Sequence, residues 1–171
     1  MTRAALQPLV NQLESLQTGI TALDGQILAW HRGSEVSRRL ATIPGIGLLN
    51  ATALAATLGD GSAFHSARQL AAWLGLVPRQ NSTGGKARLG RITKQGDPYL
   101  RRLLVIGATS VLKRSRRPDG RTAPYPWAKN LLERKPYRLT TVALANKMAR
   151  IVWAVLTSGQ SYRAKNAGAA I

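Results

Sequence analysis

Residues 75–97 read GLVPRQNSTGGKARLGRITKQGD, and they place two hydroxyl side chains, Ser82 and Thr83, ahead of a glycine pair. Arg79, Lys86, Arg88, Arg91 and Lys94 surround them, and no carboxylate occurs before Asp97. An alcohol attacking a phosphodiester builds negative charge on the phosphoryl oxygens, and cationic side chains around the nucleophile stabilise that charge. Gly84 and Gly85 would let the loop lie close against a strand. The same residues also suit a turn that only grips phosphate. Residue chemistry leaves both readings open.

Other catalytic chemistries find few components. Seven carboxylates are scattered along 171 residues, and the two histidines, His31 and His65, are far apart in sequence. There is no HExxH, no close Asp/Glu set and no GxSxG elbow. A self-contained two-metal nuclease or Ser-His-Asp hydrolase is not expected, no metal site is assigned, and His65 reads as a surface residue flanking a helix. Cysteine is absent, which removes disulfides and thiolate metal sites.

Charge points to the partner. Lys plus Arg number 25 against 7 Asp plus Glu, a net +18. Residues 1–60 hold four of each sign, so the whole excess falls in residues 61–171. A segment so unbalanced repels itself unless a polyanion neutralises it, and the expected polyanion is a nucleic-acid backbone. A merely soluble basic protein or a membrane-surface binder is the alternative. Arginine predominates and no amphipathic anchor with bulky aromatics is evident, which favours nucleic acid. No apolar run approaches the ~18 residues of a membrane span, and no signal sequence opens the chain. The expectation is no membrane and a cytoplasmic protein.

The elements follow from periodicity. Leu6, Leu9, Leu13, Leu16, Ile20, Leu23, Ile27 and Trp30 alternate spacings of three and four, the seam of a long helix that packs along its length. Its partner is either a second copy or the rest of this chain. The sequence VSRRLATIPGIGLLNATALAATLGD (36–60) predicts two short helices broken at Pro44-Gly45 and resumed after Gly47, as in a helix-hairpin-helix. In that module Gly45 and Gly47 admit a phosphate to the free N–H groups that open the second helix. An ordinary turn between core helices is the plainer reading.

Residues 62–74 predict a helix with Ser66 as N-cap and Gly75 as terminator. Asp97-Pro98 predicts the next helix start, with Leu100, Leu103, Leu104 and Val111 inward and Arg101 and Arg102 on its polar side. Residues 113–126 read as a basic loop. A short helix in WAKNLLERK and a long one from Thr140 to Ser158, capped by Gly159, complete the chain. Lys147 and Arg150 lie one turn apart on that helix, away from its apolar face. No alternating strand is evident. The fold expected is mainly α: a coiled-coil-like helix over 1–35, a helical domain over 36–162, and a disordered tail over 163–171.

The stretch TIPGIGLLNATALAATLGD, followed by SARQLAAWLGLVPRQNSTGGKARLGRITKQGDPYLRRLL, resembles the carboxy-terminal half of the insertion-sequence-110 family of transposases, its 1111 subgroup included. These are also described as DEDD transposases or bridge-RNA-guided recombinases. The likeness runs from about Ile43 to about Tyr162, and several unusual pieces agree in order and spacing: Pro-Gly-Ile-Gly, Gly-Leu-Val-Pro-Arg, Ser-Thr-Gly-Gly and Ile-Thr-Lys-Gln-Gly-Asp.

The resemblance implies a serine that joins covalently to DNA. Ser82 matches that position, with Thr83 in reserve. It implies magnesium held by an Asp-Glu-Asp-Asp set in an amino-terminal RuvC-like domain that this sequence lacks, with no cofactor in the chain itself. It implies DNA and a structured guide RNA as partners, a coiled-coil helix joining the family's two parts, and work as an oligomer; for this chain the expectation is homo-oligomer or hetero-association through the N-terminal helix. The chain is therefore expected to be a truncated transposase that binds nucleic acid but does not cut alone. The alternative is a non-catalytic module for binding and oligomerisation, in which Arg79, Lys86, Arg88, Arg91, Lys94, Arg101 and Arg102 contact phosphate.

Overall fold

The computed structural model describes residues 2–81, 88–116 and 124–163. Among these, seven helices and one two-stranded sheet occur in the order α1 (Thr2–Gly33), α2 (Glu35–Ala41), α3 (Leu48–Leu58), α4 (Ala67–Trp73), β1 (Pro78–Gln80), β2 (Leu89–Ile92), α5 (Pro98–Ser115), α6 (Pro126–Arg134) and α7 (Tyr137–Ser158). The architecture is mainly α.

The helix starts follow local chemistry. Ser34 accepts from Ser37 N to open α2, and Ser66 accepts from Gln69 N to open α4. Gln69 Oε1 in turn takes the His65 N–H at 2.7 Å, so α4 begins at Ala67 and residues 62–65 stay outside it. Asp97 accepts from Tyr99 N and Leu100 N at 2.7 and 3.1 Å, with Pro98 in the first turn of α5. α7 begins at Tyr137, a turn earlier than its apolar pattern predicts, directly after Pro136. It ends where Gly159 turns left-handed.

α7 is the centre of the core. Leu144, Ala145, Met148, Ala149 and Val152 are wholly buried against α4 and α5, which contribute Leu70, Leu100, Leu104 and Ala108. By length and composition α7 would pass for a membrane span, with a window of mean hydropathy 1.3. Half of that window is buried inside the protein, so its apolar face is already occupied by the core.

α1 behaves differently. It packs on α2 and α3, and near its carboxy-terminal end Ile27 and Trp30 line a shallow depression together with Leu49 and Ala53 of α3 and Tyr99 of α5. Leu6, Leu9, Leu13, Leu16, Ile20 and Leu23 are each more than half exposed. Of the two partners the seam allows, the described part of this chain does not supply one above Ile27.

The sheet departs from the strand-free expectation. β1 and β2 pair antiparallel, Pro78 with Ile92 and Gln80 with Leu89, with an irregularity between. Their residues are almost all exposed, so neither strand carries the alternation that burial of one face imprints.

Candidate nucleic-acid interface

The hairpin is built from its base upward. α4 ends at Trp73, Gly75 turns the chain with a positive φ of 67°, and the chain returns beside it at Lys94–Gly96. Lys94 N donates to Gly75 O at 3.1 Å and Thr93 N to Val77 O at 2.9 Å. Gly96 has φ +75, and a Cβ there would run into the Trp73 carbonyl, so this crossing requires glycine. Arg101, one turn into α5, closes the base: its Nη1 donates to Leu74 O at 3.1 Å and Gln95 O at 3.0 Å. From the other side, Asn146 Nδ2 on α7 donates to Leu76 O at 3.1 Å. Three helices thus fix where two exposed strands leave the domain.

At the far end Asn81 N donates to Arg88 O at 2.9 Å. The residues between them, including Ser82, Thr83 and Lys86, lie outside the described residues. What is described is their frame. Arg79, Arg88 and Arg91 stand exposed on the hairpin, and Lys94 is exposed at its base with φ +58. Arg79 reaches Thr93 O with one guanidinium nitrogen at 3.4 Å.

The remaining sequence candidates separate. Arg102 is exposed on α5, whereas Arg101 is half-buried and committed to the hairpin base. Gly47 caps α3 with nothing within 4 Å of where its Cβ would be. Gly45, with φ +94, is turned to the core: a Cβ there would meet Val111 at 2.8 Å and Met148 at 2.9 Å, and Gly107 on α5 is pressed against its carbonyl. Pro44 O accepts from the Tyr125 hydroxyl at 3.2 Å. Of the two glycines in the Pro-Gly-Ile-Gly turn, one therefore packs inward and one faces open space.

Asn146 and Tyr125 escaped the sequence reading. A single asparagine on an apolar helix and a tyrosine in a Pro-rich basic stretch give no periodic signal; only their partners, 70 and 81 residues away, reveal them. Among the described residues no group of three His, Cys, Asp or Glu is placed to hold a metal ion. His65 is exposed, and His31 Nδ1 lies 2.7 Å from Ser37 Oγ at the joint between α1 and α2.

The profile described as Transposase IS116/IS110/IS902 family matches residues 37–123, from α2 through the hairpin and α5. This chain belongs to the IS116/IS110/IS902 transposase family. It is 47% identical over 159 residues to a Pseudomonas aeruginosa protein described as a probable family 20 transposase, covering 92% of this chain and 46% of that protein. It is 38% identical over 161 residues to the Coxiella burnetii transposase for insertion sequence element IS1111A, covering 94% and 44%. A third relative, the pilin gene-inverting protein of Moraxella bovis, is 32% identical over 155 residues, covering 84% and 45%. The chain spans less than half the length of these curated relatives. The family match includes the whole hairpin, so the basic frame around residues 82–87 belongs to the transposase region.

Proposed function

We propose that this chain is the DNA-binding portion of an insertion-sequence transposase and that it presents Ser82 to a DNA phosphate. The observation that carries the reading is the rigidly based, exposed hairpin bearing Arg79, Arg88 and Arg91, whose strands flank residues 82–87 inside the family match. The serine oxygen forms a bond to phosphorus, the bond from phosphorus to one deoxyribose oxygen breaks, and the departing oxygen takes up a proton as the serine loses its own. Neighbouring guanidiniums neutralise the charge gathered on the phosphoryl oxygens. Magnesium and a guide RNA enter this reading through the family resemblance alone. In that resemblance the carboxylates that would hold the metal belong to the amino-terminal RuvC-like domain of full-length family members. Gly47 at the start of α3 would offer backbone N–H groups to a second phosphate, as a helix-hairpin-helix does. The exposed seam of α1 would pair with a second copy.

The test combines the chain with DNA carrying its element ends, magnesium and the carboxylate domain of a full-length relative. A covalent protein–DNA band should form and disappear in Ser82→Ala. A band that survives Ser82→Ala and vanishes in Thr83→Ala moves the attacking oxygen by one residue. A band surviving both changes removes this turn from the chemistry.

A second reading, binding and self-association without cutting, is favoured by the net charge of +18 and by the exposed seam of α1. It predicts full duplex affinity and no covalent band under any of these conditions.

A further inference from the structure

Away from the hairpin, α6, the second half of α7 and residues 158–163 enclose an open cleft of about 660 Å³. Four rings, those of Tyr125, Trp127, Trp153 and Tyr162, line it together with Lys147, Arg150 and Arg163; Gln160 and two serines add neutral polar groups, and no acidic residue is among the described residues of its lining. We propose that this cleft is a binding site for an unstacked base and its phosphate, a stacking platform for single-stranded nucleic acid.

Three observations support it. The walls are held in place before any ligand arrives. The Tyr125 hydroxyl donates to Pro44 O at 3.2 Å, Trp153 Nε1 donates to Phe64 O at 3.0 Å, and Tyr162 N donates to Thr42 Oγ1 at 2.9 Å. The first two bonds hold the Tyr125 and Trp153 rings, which lose little freedom on binding, and the third holds the backbone at Tyr162. Cations already lie against the rings: Lys147 Nζ sits 5.7 Å over the Trp127 ring, and Arg150 is exposed one turn further along α7. Finally, Trp127 Nε1 is buried with no acceptor among the described residues. A buried donor left unpaired is costly, and a base edge carries acceptors that would satisfy it after a small turn of the ring.

The volume falls within the range of about 300–1,000 Å³ that holds one small organic group, and the ring-plus-cation lining is the chemistry that grips bases without reading them. A duplex keeps its bases stacked and offers only phosphate here. An acidic peptide would meet the cations but would leave the gathered rings and the indole donor unused.

The test uses the intact chain at about 0.15 M salt, where weak phosphate contacts are screened. Binding is measured for an oligothymidylate of about ten nucleotides, within the span one such site covers, for the matching oligouridylate, and for an abasic strand of equal length. Normal strands should bind about 5- to 150-fold tighter than the abasic strand. Trp127→Leu should erase that ratio, Trp127→Phe should keep most of it, and Arg150→Ala should weaken normal and abasic strands alike. Photocrosslinking of a thiothymidine strand to the unaltered chain should label Trp127, Trp153 or Tyr162, which locates the site even if Trp127→Leu fails to fold. Preference for the thymidylate or the uridylate says which kind of strand occupies the cleft, and either preference supports the site. Equal binding of normal and abasic strands, crosslinks elsewhere, or displacement by polyglutamate of matched charge at equal concentration would overturn it. A chain that forms the covalent DNA band but shows no difference from the abasic strand overturns the cleft and leaves Ser82 standing.

Discussion

Arg101 and Arg102 are neighbours of the same type with different work. Arg101 spends its guanidinium on two backbone carbonyls at the hairpin base, while Arg102 is exposed. Arg101→Ala should lower stability by about 1–3 kcal/mol in urea unfolding, because two carbonyls lose a charged donor. Arg102→Ala should leave stability within about 0.5 kcal/mol and shallow the salt dependence of duplex binding by about one unit. Tyr125 supplies a pH signature. Burial first, and then the neighbouring Tyr162 hydroxyl, hold its phenol above the ordinary value of 10.0. The folded chain therefore keeps a proton that the unfolded chain releases, so the stabilisation is complete below that pH and is lost as pH rises past it. Melting temperature should fall as pH rises above about 10, and Tyr125→Phe should flatten that fall.

Among the elements, α5 shows how a cap positions a site. Asp97 satisfies two N–H groups at the start of the helix that carries Arg101. Asp97→Ala should cost about 1 kcal/mol, read as a lower urea midpoint. α1 shows the opposite situation, an apolar seam with little among the described residues to bury it. Replacing Leu13 and Leu16 with glutamate should leave the domain's melting temperature nearly unchanged, since both side chains are exposed. The same changes should shift sedimentation from oligomer to monomer. Unaltered sedimentation would show that α1 pairs with nothing. The seam was legible because apolar residues at spacings of three and four have one geometric explanation. The hairpin was not legible: three- and four-residue strands with exposed side chains carry no period. Their pairing is set by the crossing at Gly75 and Gly96 and by Arg101 and Asn146, groups that belong to other elements.

For the molecule as a whole, charge sets how it meets its partner. With +18 on 171 residues, duplex affinity should fall linearly on a log–log plot against salt, with a slope of about −0.9 per phosphate neutralised. A flat plot would remove nucleic acid from the function. The sequence by itself determined the helical class, the caps at Ser66 and Asp97, the basic character of residues 61–171 and the family, because each is written in residue type and local spacing. Tertiary structure alone decided that Gly45 packs inward while Gly47 faces out, that Arg101 braces the hairpin, and that Trp127, Trp153 and Tyr162 share one cleft with Lys147 and Arg150. Those outcomes depend on which distant backbone groups come within hydrogen-bonding or van der Waals range. Such proximity arises only when α4, α5, α6 and α7 close around a common core.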